Sequence, residues 1–210
     1  MSSTDPQLFS LPPATAARRL PSFWPLAAAF GALWGSAEIT LGSFLHTLKI
    51  PFAGAVLAGL GAGLLVAMRQ VALLRGLCVA TALIAALCKS MSPGGVILGP
   101  MVGIGVEGLL VELALLLAPR FLGSALAAGA LAALWTVLQK LLTQALLYGL
   151  SALELYQALL RKGDEWIGRS GASLAIVAGI LAGVALLGAL LAGAGWRVGR
   201  DAALALQRAP

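Results

Sequence analysis

Long apolar stretches occupy almost the whole of this 210-residue chain, and they constrain its fold more than any other feature. Hydrophobic residues make up 60% of the sequence and charged residues 10%, which leaves too little polar surface for a protein that folds in water. A helix needs about 20 mostly apolar residues to cross a hydrocarbon core of about 30 Å. Six stretches approach or exceed that length: 21–45, 52–68, 71–88, 96–117, 121–150 and 172–196. The sequence therefore predicts an all-α polytopic integral membrane protein with about six transmembrane helices in one bundle.

The second and third stretches leave the number of spans open between five and seven. Only Arg69 and Gln70 separate them, and each is near the short limit for a span. The chain then divides into a disordered cytoplasmic tail at 1–20, a transmembrane domain at 21–197 and a cytoplasmic tail at 198–210. A cleaved signal peptide is the alternative for the first region. The apolar run continues past its small-residue site at 35–37, which favours a full span.

The distribution of basic residues predicts the orientation, because Lys and Arg concentrate on the cytoplasmic side of membrane proteins. One face receives eight of them: Arg18, Arg19, Arg69, Arg75, Arg120, Arg197, Arg200 and Arg208. The other face receives five: Lys49, Lys89, Arg161, Lys162 and Arg169. Both termini are therefore expected in the cytoplasm. We therefore interpret the net charge of +6 mostly as a topology signal. No basic stripe with interleaved aromatic residues indicates a nucleic-acid partner.

Cysteine and histidine usage predicts no metal site and no cofactor. Cys78 and Cys88 lie ten residues apart in one apolar stretch, without the spacing of a redox or zinc motif. The single histidine, His46, cannot build a multi-histidine metal site.

Polar residues inside the apolar stretches predict a binding site, because charges in a bilayer are costly and usually functional. With the N-terminus inside, they fall in the outer halves of the spans or near mid-depth. Glu38 lies one helical turn after Trp34, and Lys140, Gln144 and Tyr148 recur four residues apart on the fifth stretch. The candidate substrate-binding residues are Trp34, Glu38, His46, Lys89, Glu107, Gln139, Lys140, Gln144 and Tyr148.

Internal ion pairing is the alternative role for these charges. Either Glu38 or Glu107 can pair with Lys140 and hold the bundle together, and such a pair can coexist with ligand binding. Glu112 follows Glu107 by five residues, about 140° around a helix, so the two carboxylates cannot face one pocket.

Small residues recur at every fourth position on several stretches, a spacing that lets helix backbones approach closely in lipid. The rows include 27, 31 and 35 beside 28, 32 and 36, then 55, 59 and 63, and finally 179 and 183. They indicate either packing within the bundle or docking of another membrane subunit. Four residues are the candidates for docking: Ala28, Gly31, Ala32 and Gly35.

Several of these segments resemble the substrate-binding S components of energy-coupling-factor (ECF) vitamin transporters. The segment Ala28-Ala29-Phe30-Gly31-Ala32 has the spacing of small residues by which S components contact their coupling subunit. Residues 34–38 through 48–52, and 93–95 through 99–100, are similar to S-component helix ends. The resemblance covers 21–197 in architecture, but its motifs are short and identify no substrate subfamily.

The resemblance implies a bacterial cytoplasmic-membrane subunit that binds a small, polar, vitamin-like molecule near the outer face. It also implies partners: a coupling subunit and ATP-binding subunits, since the chain has no GxxxxGK[ST] loop of its own. Nickel and cobalt members carry histidine directly after Met1, whereas this chain has Ser2, which argues against those metals.

Two other classes of function remain open. A structural or assembly protein without a ligand would explain the charges by pairing, and a membrane enzyme would need a reactive constellation. No GxSxG, HExxH or acidic cluster occurs, so we expect no catalysis. Residues 151–169 alternate apolar and charged side chains, which predicts an amphipathic helix in the outer interface, as an anchor or as a lid.

Overall fold

Seven helices make up the described part of the chain, which comprises residues 22–48, 52–91, 98–149, 151–168 and 171–208 of a computed structural model. The helices are α1 (Phe23–Thr47), α2 (Ala53–Val71), α3 (Leu77–Ser90), α4 (Leu98–Leu116), α5 (Leu122–Tyr148), α6 (Ser151–Ile167) and α7 (Ala172–Arg208). The described residues contain no β-strand. The prediction of an all-α protein is therefore confirmed.

Four helices of the described part are long and apolar enough to cross a membrane, namely α2, α4, α5 and α7. The number of six spans is not confirmed. Helix α1 has 25 residues, which is enough length, but polar side chains lower its hydropathy. Helix α3 has only 14 residues, about 21 Å at 1.5 Å per residue, because 72–76 connect it to α2 and Gly76 takes a left-handed conformation (φ 79°) before its first residue.

Helices α1, α3 and α5 run in one direction, and α2, α4 and α7 run in the other. Contacts between helix backbones fix this arrangement: α1 lies parallel to α3, and α2 lies parallel to α7. Both of these pairs are therefore neighbours in space although they are not consecutive in sequence. One end of the bundle collects the ends of α1, α3 and α5 and the starts of α2 and α4, and we call it the cavity end.

Small residues allow α7 to pack closely against α2 and α5, as expected for helix contacts in lipid. Gly195 lies against the backbone of Gly63, and Gly188 lies against the backbone of Gly129. The row at 55, 59 and 63 on α2 thus faces α7. The predicted row at 179 and 183 does not pack in this way, since a Cβ at either glycine would meet no described atom within 4 Å.

A buried polar network closes the end of the bundle opposite the cavity end. The Glu112 carboxylate accepts hydrogen bonds from the backbone N–H of Gly76 at 2.8 Å and of Cys78 at 2.9 Å. Arg69 Nη2 lies 3.7 Å from Glu112 Oε1, and the same guanidinium donates to the carbonyl of Leu74. Helix starts carry unpaired N–H groups and a partial positive charge, so Glu112 caps α3 and joins it to α2 and α4.

The amphipathic segment predicted at 151–169 forms α6, which lies against α5 and α7. Asp164 accepts hydrogen bonds from the backbone N–H of Ser173 and of Gly171, each at 2.8 Å, and so caps the start of α7. These two donors hold the pKa of Asp164 below its ordinary value. Helix α7 continues to Arg208, so 198–208 extend a helix where the sequence predicts a tail. The tail predicted at 1–20 lies outside the described residues.

Candidate ligand cavity

A cavity of about 400 Å³ lies among α1, α2, α3, α4 and α5 at the cavity end of the bundle. We call it the central cavity. Its walls include six of the nine residues predicted from the sequence: Glu38, Lys89, Glu107, Gln139, Lys140 and Gln144. These residues come from four helices, and helix packing brings them to one space.

Glu38 and Lys89 form an ion pair between α1 and α3 on one wall of the central cavity. Lys89 Nζ lies 3.8 Å from Glu38 Oε2 and donates a hydrogen bond to the backbone carbonyl of Glu38 at 2.8 Å. Gly42 leaves room for this ammonium, since a Cβ there would lie 3.3 Å from Nζ. Glu38 therefore pairs with Lys89 and not with Lys140, the alternative partner that the sequence left open.

Glu107 on α4 has no comparable partner. It is only 6% exposed, and its Oε2 atom has no hydrogen-bond partner among the described residues. Within the described part of the chain it forms no ion pair either. Its neighbour Glu112, 5% exposed on the opposite side of the same helix, is held by a guanidinium and two backbone N–H groups. Within the described ranges, the central cavity thus contains one buried carboxyl oxygen without a hydrogen-bond partner.

Helix α5 supplies the uncharged polar groups of the cavity and one exposed ammonium. Gln139 Nε2 donates to the carbonyl of Gly99, which ties α5 to the start of α4. Lys140 lies on the exposed side of the lining and forms no ion pair with any described residue. Thr143 and Gln144 continue the polar lining beyond it.

Several lining residues were not predicted from the sequence, although spacing signals them. Thr136 precedes Lys140 by four residues and so extends the polar row of α5 by one turn. Gly99 and Gly103 precede Glu107 by eight and four residues on α4 and also line the cavity. Gly99 faces open space, whereas Gly103 makes room for the Gln139 side chain, which packs against it.

Two of the other three predicted residues line separate cavities. Trp34 lines a smaller cavity of about 210 Å³ that shares Glu38 and Leu57 with the central one. Tyr148 lines a cavity of about 470 Å³ between α5 and α6, which shares Gln144. The side chain of His46 lies outside the described part of the structure.

The four candidate docking residues on α1 separate into two pairs. Gly31 and Gly35 are buried against α3, where a Cβ on Gly31 would lie 2.7 Å from Ile84 Cβ. Ala28 and Ala32 lie on the surface of the bundle. Only this second pair is available to another protein in the arrangement described.

The lining suits binding of a polar solute by charge and hydrogen bonds. No group of three or more His, Cys, Asp or Glu side chains that could hold a metal occurs in the described ranges. Comparisons with family models, curated proteins and solved structures give no significant match. The function is therefore inferred from the geometry of the central cavity.

Proposed function

We propose that the protein is a substrate-binding membrane subunit of an ECF-type transporter and takes up a small, polar, vitamin-like molecule. The observation that carries this proposal is the central cavity, with two buried acids, two ammonium groups and several amide and hydroxyl groups on its walls. Its volume of about 400 Å³ is in the range of small-molecule sites.

The distribution of buried charge supports ligand binding over a purely structural role. Ionisable groups within a helix bundle are costly and need a reason to be there. The fold itself explains Glu112, which joins three helices, and it explains the pairing of Glu38 with Lys89. It gives no such explanation for Glu107, which lines an open space. A bound solute would supply the missing partner.

Two features support the more specific assignment to an S component. Ala28 and Ala32 form an exposed small-residue pair on α1, which allows the backbone of another membrane helix to approach closely. The sequence contains no phosphate-binding loop of the P-loop type, so ATP-driven uptake would require separate ATP-binding subunits.

A thermal-shift screen of the purified protein against vitamins, their precursors and amino acids tests the proposal. A ligand that binds only the folded state raises its apparent stability, by about 2.7 kcal/mol at a hundredfold excess over Kd. We expect at least one small polar solute to raise the melting temperature. We also expect that shift to vanish in Gly99→Leu, which fills the cavity.

The variant Gly105→Leu is the matched control. Gly99 and Gly105 lie on the same helix, and a Cβ at either position would meet no described atom within 4 Å, so both variants should fold. Only Gly99 lines the central cavity. A ligand-induced shift that survives in Gly99→Leu would show that the solute binds elsewhere, and the absence of any stabilising solute would refute the binding role.

A further inference from the structure

We propose that the ligand of the central cavity is an organic cation, such as a protonated amine, and that the Glu107 carboxylate is its counter-ion. This inference rests on the proposed binding function and specifies the chemical class of the substrate.

One ion pair accounts for two of the four charged side chains that line the central cavity, and Glu107 and Lys140 remain. Lys89 is engaged by Glu38 through both the side chain and the backbone carbonyl. Lys140 is exposed, whereas Glu107 is buried in the wall. The buried part of the lining therefore retains one carboxyl group that has no cationic partner among the described residues.

Glu112 shows how this fold treats a buried carboxylate that serves the structure. It receives two backbone N–H donors and lies within 4 Å of a guanidinium, so the cost of its burial is offset. Glu107 lies five residues earlier on the same helix and is buried to the same degree, yet Oε2 has no partner among the described residues. The difference between the two acids is that Glu107 borders a cavity.

The space around Glu107 suits a ligand ammonium better than a ligand anion. A Cβ at Gly99 would meet no described atom within 4 Å, so the cavity is open at that turn of α4, while the Gln139 amide packs against Gly103. An ammonium there would form a charge-assisted hydrogen bond in a site of low dielectric. An anion would instead meet the carboxylates of Glu107 and Glu38, while of the two lining ammonium groups Lys89 is already paired and Lys140 is exposed.

Uncharged groups on α5 complete the recognition of such a ligand. Thr136, Gln139, Thr143 and Gln144 offer hydroxyl and amide groups for the polar substituents of a cation. None of them carries a charge that would compensate Glu107 in the empty protein. The ligand therefore brings both the missing charge and the missing hydrogen-bond donor.

Matched probes that differ in charge test the inference. One set is 2-phenylethylamine, 2-phenylethanol and phenylacetate, and a second set places the same three groups on a pyridine ring. Binding to the full chain in lipid nanodiscs is measured by calorimetry and by thermal shift. The same titrations with the Gly99→Leu protein measure the partition of each probe into the nanodisc lipid, and this signal is subtracted from that of the wild-type protein. We expect the amines to bind at least about tenfold more tightly than the alcohols, with no binding of the carboxylates.

Two variants on α4 separate recognition from stability. Glu107→Gln keeps the size of the side chain and should reduce amine affinity about ten- to a hundredfold, until it equals that of the alcohol. Glu112→Gln makes the same chemical change outside the cavity, so it should lower the melting temperature and keep the preference for amines. Glu107→Met is a second test of the cavity acid, should Glu107→Gln fail to fold.

Several outcomes would overturn the inference. One is that alcohols or carboxylates bind as tightly as amines to the wild-type cavity. The proposed solute binding would then stand, and only the preference for an organic cation would be rejected. Another is that the preference for amines survives in Glu107→Gln. Failure of both Glu107 variants to fold would show that this acid supports the bundle. If neither these probes nor any solute of the wider screen binds, the proposed function fails as well.

Discussion

Replacing Glu38 by glutamine and Lys89 by methionine, singly and together, measures how strongly the ion pair couples α1 to α3. The two side chains are 10% and 15% exposed, and Nζ lies 3.8 Å from Oε2. At an effective dielectric constant near 20, unit charges at about 4 Å attract by about 4 kcal/mol. Desolvation of both groups offsets much of this, so the net contribution is smaller than the loss when one partner is removed.

The two single variants should lower the free energy of unfolding by different amounts. The hydrogen bond to the Glu38 backbone carbonyl needs the Lys89 side chain but not the Glu38 side chain. Lys89→Met loses the ion pair and the 2.8 Å hydrogen bond to the Glu38 carbonyl, and it leaves a carboxylate unpaired. We expect a loss of about 3–5 kcal/mol in the free energy of unfolding. Glu38→Gln leaves Lys89 with its carbonyl acceptor, so about 1–3 kcal/mol is expected. The double variant should recover part of this, with a coupling energy of about 2 kcal/mol.

Unfolding free energies of the four proteins can be obtained by SDS titration in mixed micelles. A second cycle that pairs Glu38→Gln with Lys140→Met is the control. Lys140 forms no ion pair with a described residue, so those two changes should add to within about 0.5 kcal/mol. A coupling with Lys140 as large as that with Lys89 would refute the assigned pairing. Unchanged stability in Glu38→Gln, with a loss of ligand affinity, would make Glu38 a ligand contact.

Two further predictions concern orientation and partners. In a background without native thiols, a cysteine at Lys162 should react with impermeant reagents from outside and one at Arg120 only from the cytoplasm. The distribution of basic residues favours that orientation. Reaction at Arg120 from outside would show that the orientation is inverted. Ala32→Leu should fold but lose capture by an ECF coupling subunit, whereas Gly31→Leu should not fold, because Gly31 is buried against α3. The exposed Ala127→Leu is the control, and failure of Ala32→Leu to fold would assign this row to internal packing.

Most of the helices were predictable from the sequence because each of them coincides with a long apolar run. The stretches at 52–68, 96–117 and 121–150 correspond to α2, α4 and α5 within a few residues. The run at 71–88 was misread at its start, since residues 72–74 are apolar but belong to a connection that ends in a left-handed glycine at 76. Hydropathy does not distinguish an apolar turn from an apolar helix, and only the glycine at 76 carried the signal.

The composition of the central cavity was predictable in part for a similar reason. The spacing of Lys140 and Gln144 places them on one face of α5, whatever the rest of the fold does. The choice between Lys89 and Lys140 as partner of Glu38 depends on α1 packing beside α3, which is not its neighbour in sequence. The helical period sets the face on which a residue lies, whereas its partner depends on which helices become neighbours.

Glu107 and Glu112 show how far such reasoning extends. Their separation of five residues places them on different faces of one helix, so they were expected to have different roles. The sequence indicated Glu107 as a ligand contact but did not show what would hold Glu112, because its partners are Arg69 and two backbone N–H groups at the start of α3. Every residue except proline has a backbone N–H, so residue types do not reveal which backbone groups will donate to a carboxylate. Once they are assigned, Glu107 is the acid whose carboxylate oxygen lacks a partner among the described residues, and it lies where a ligand has space to bind.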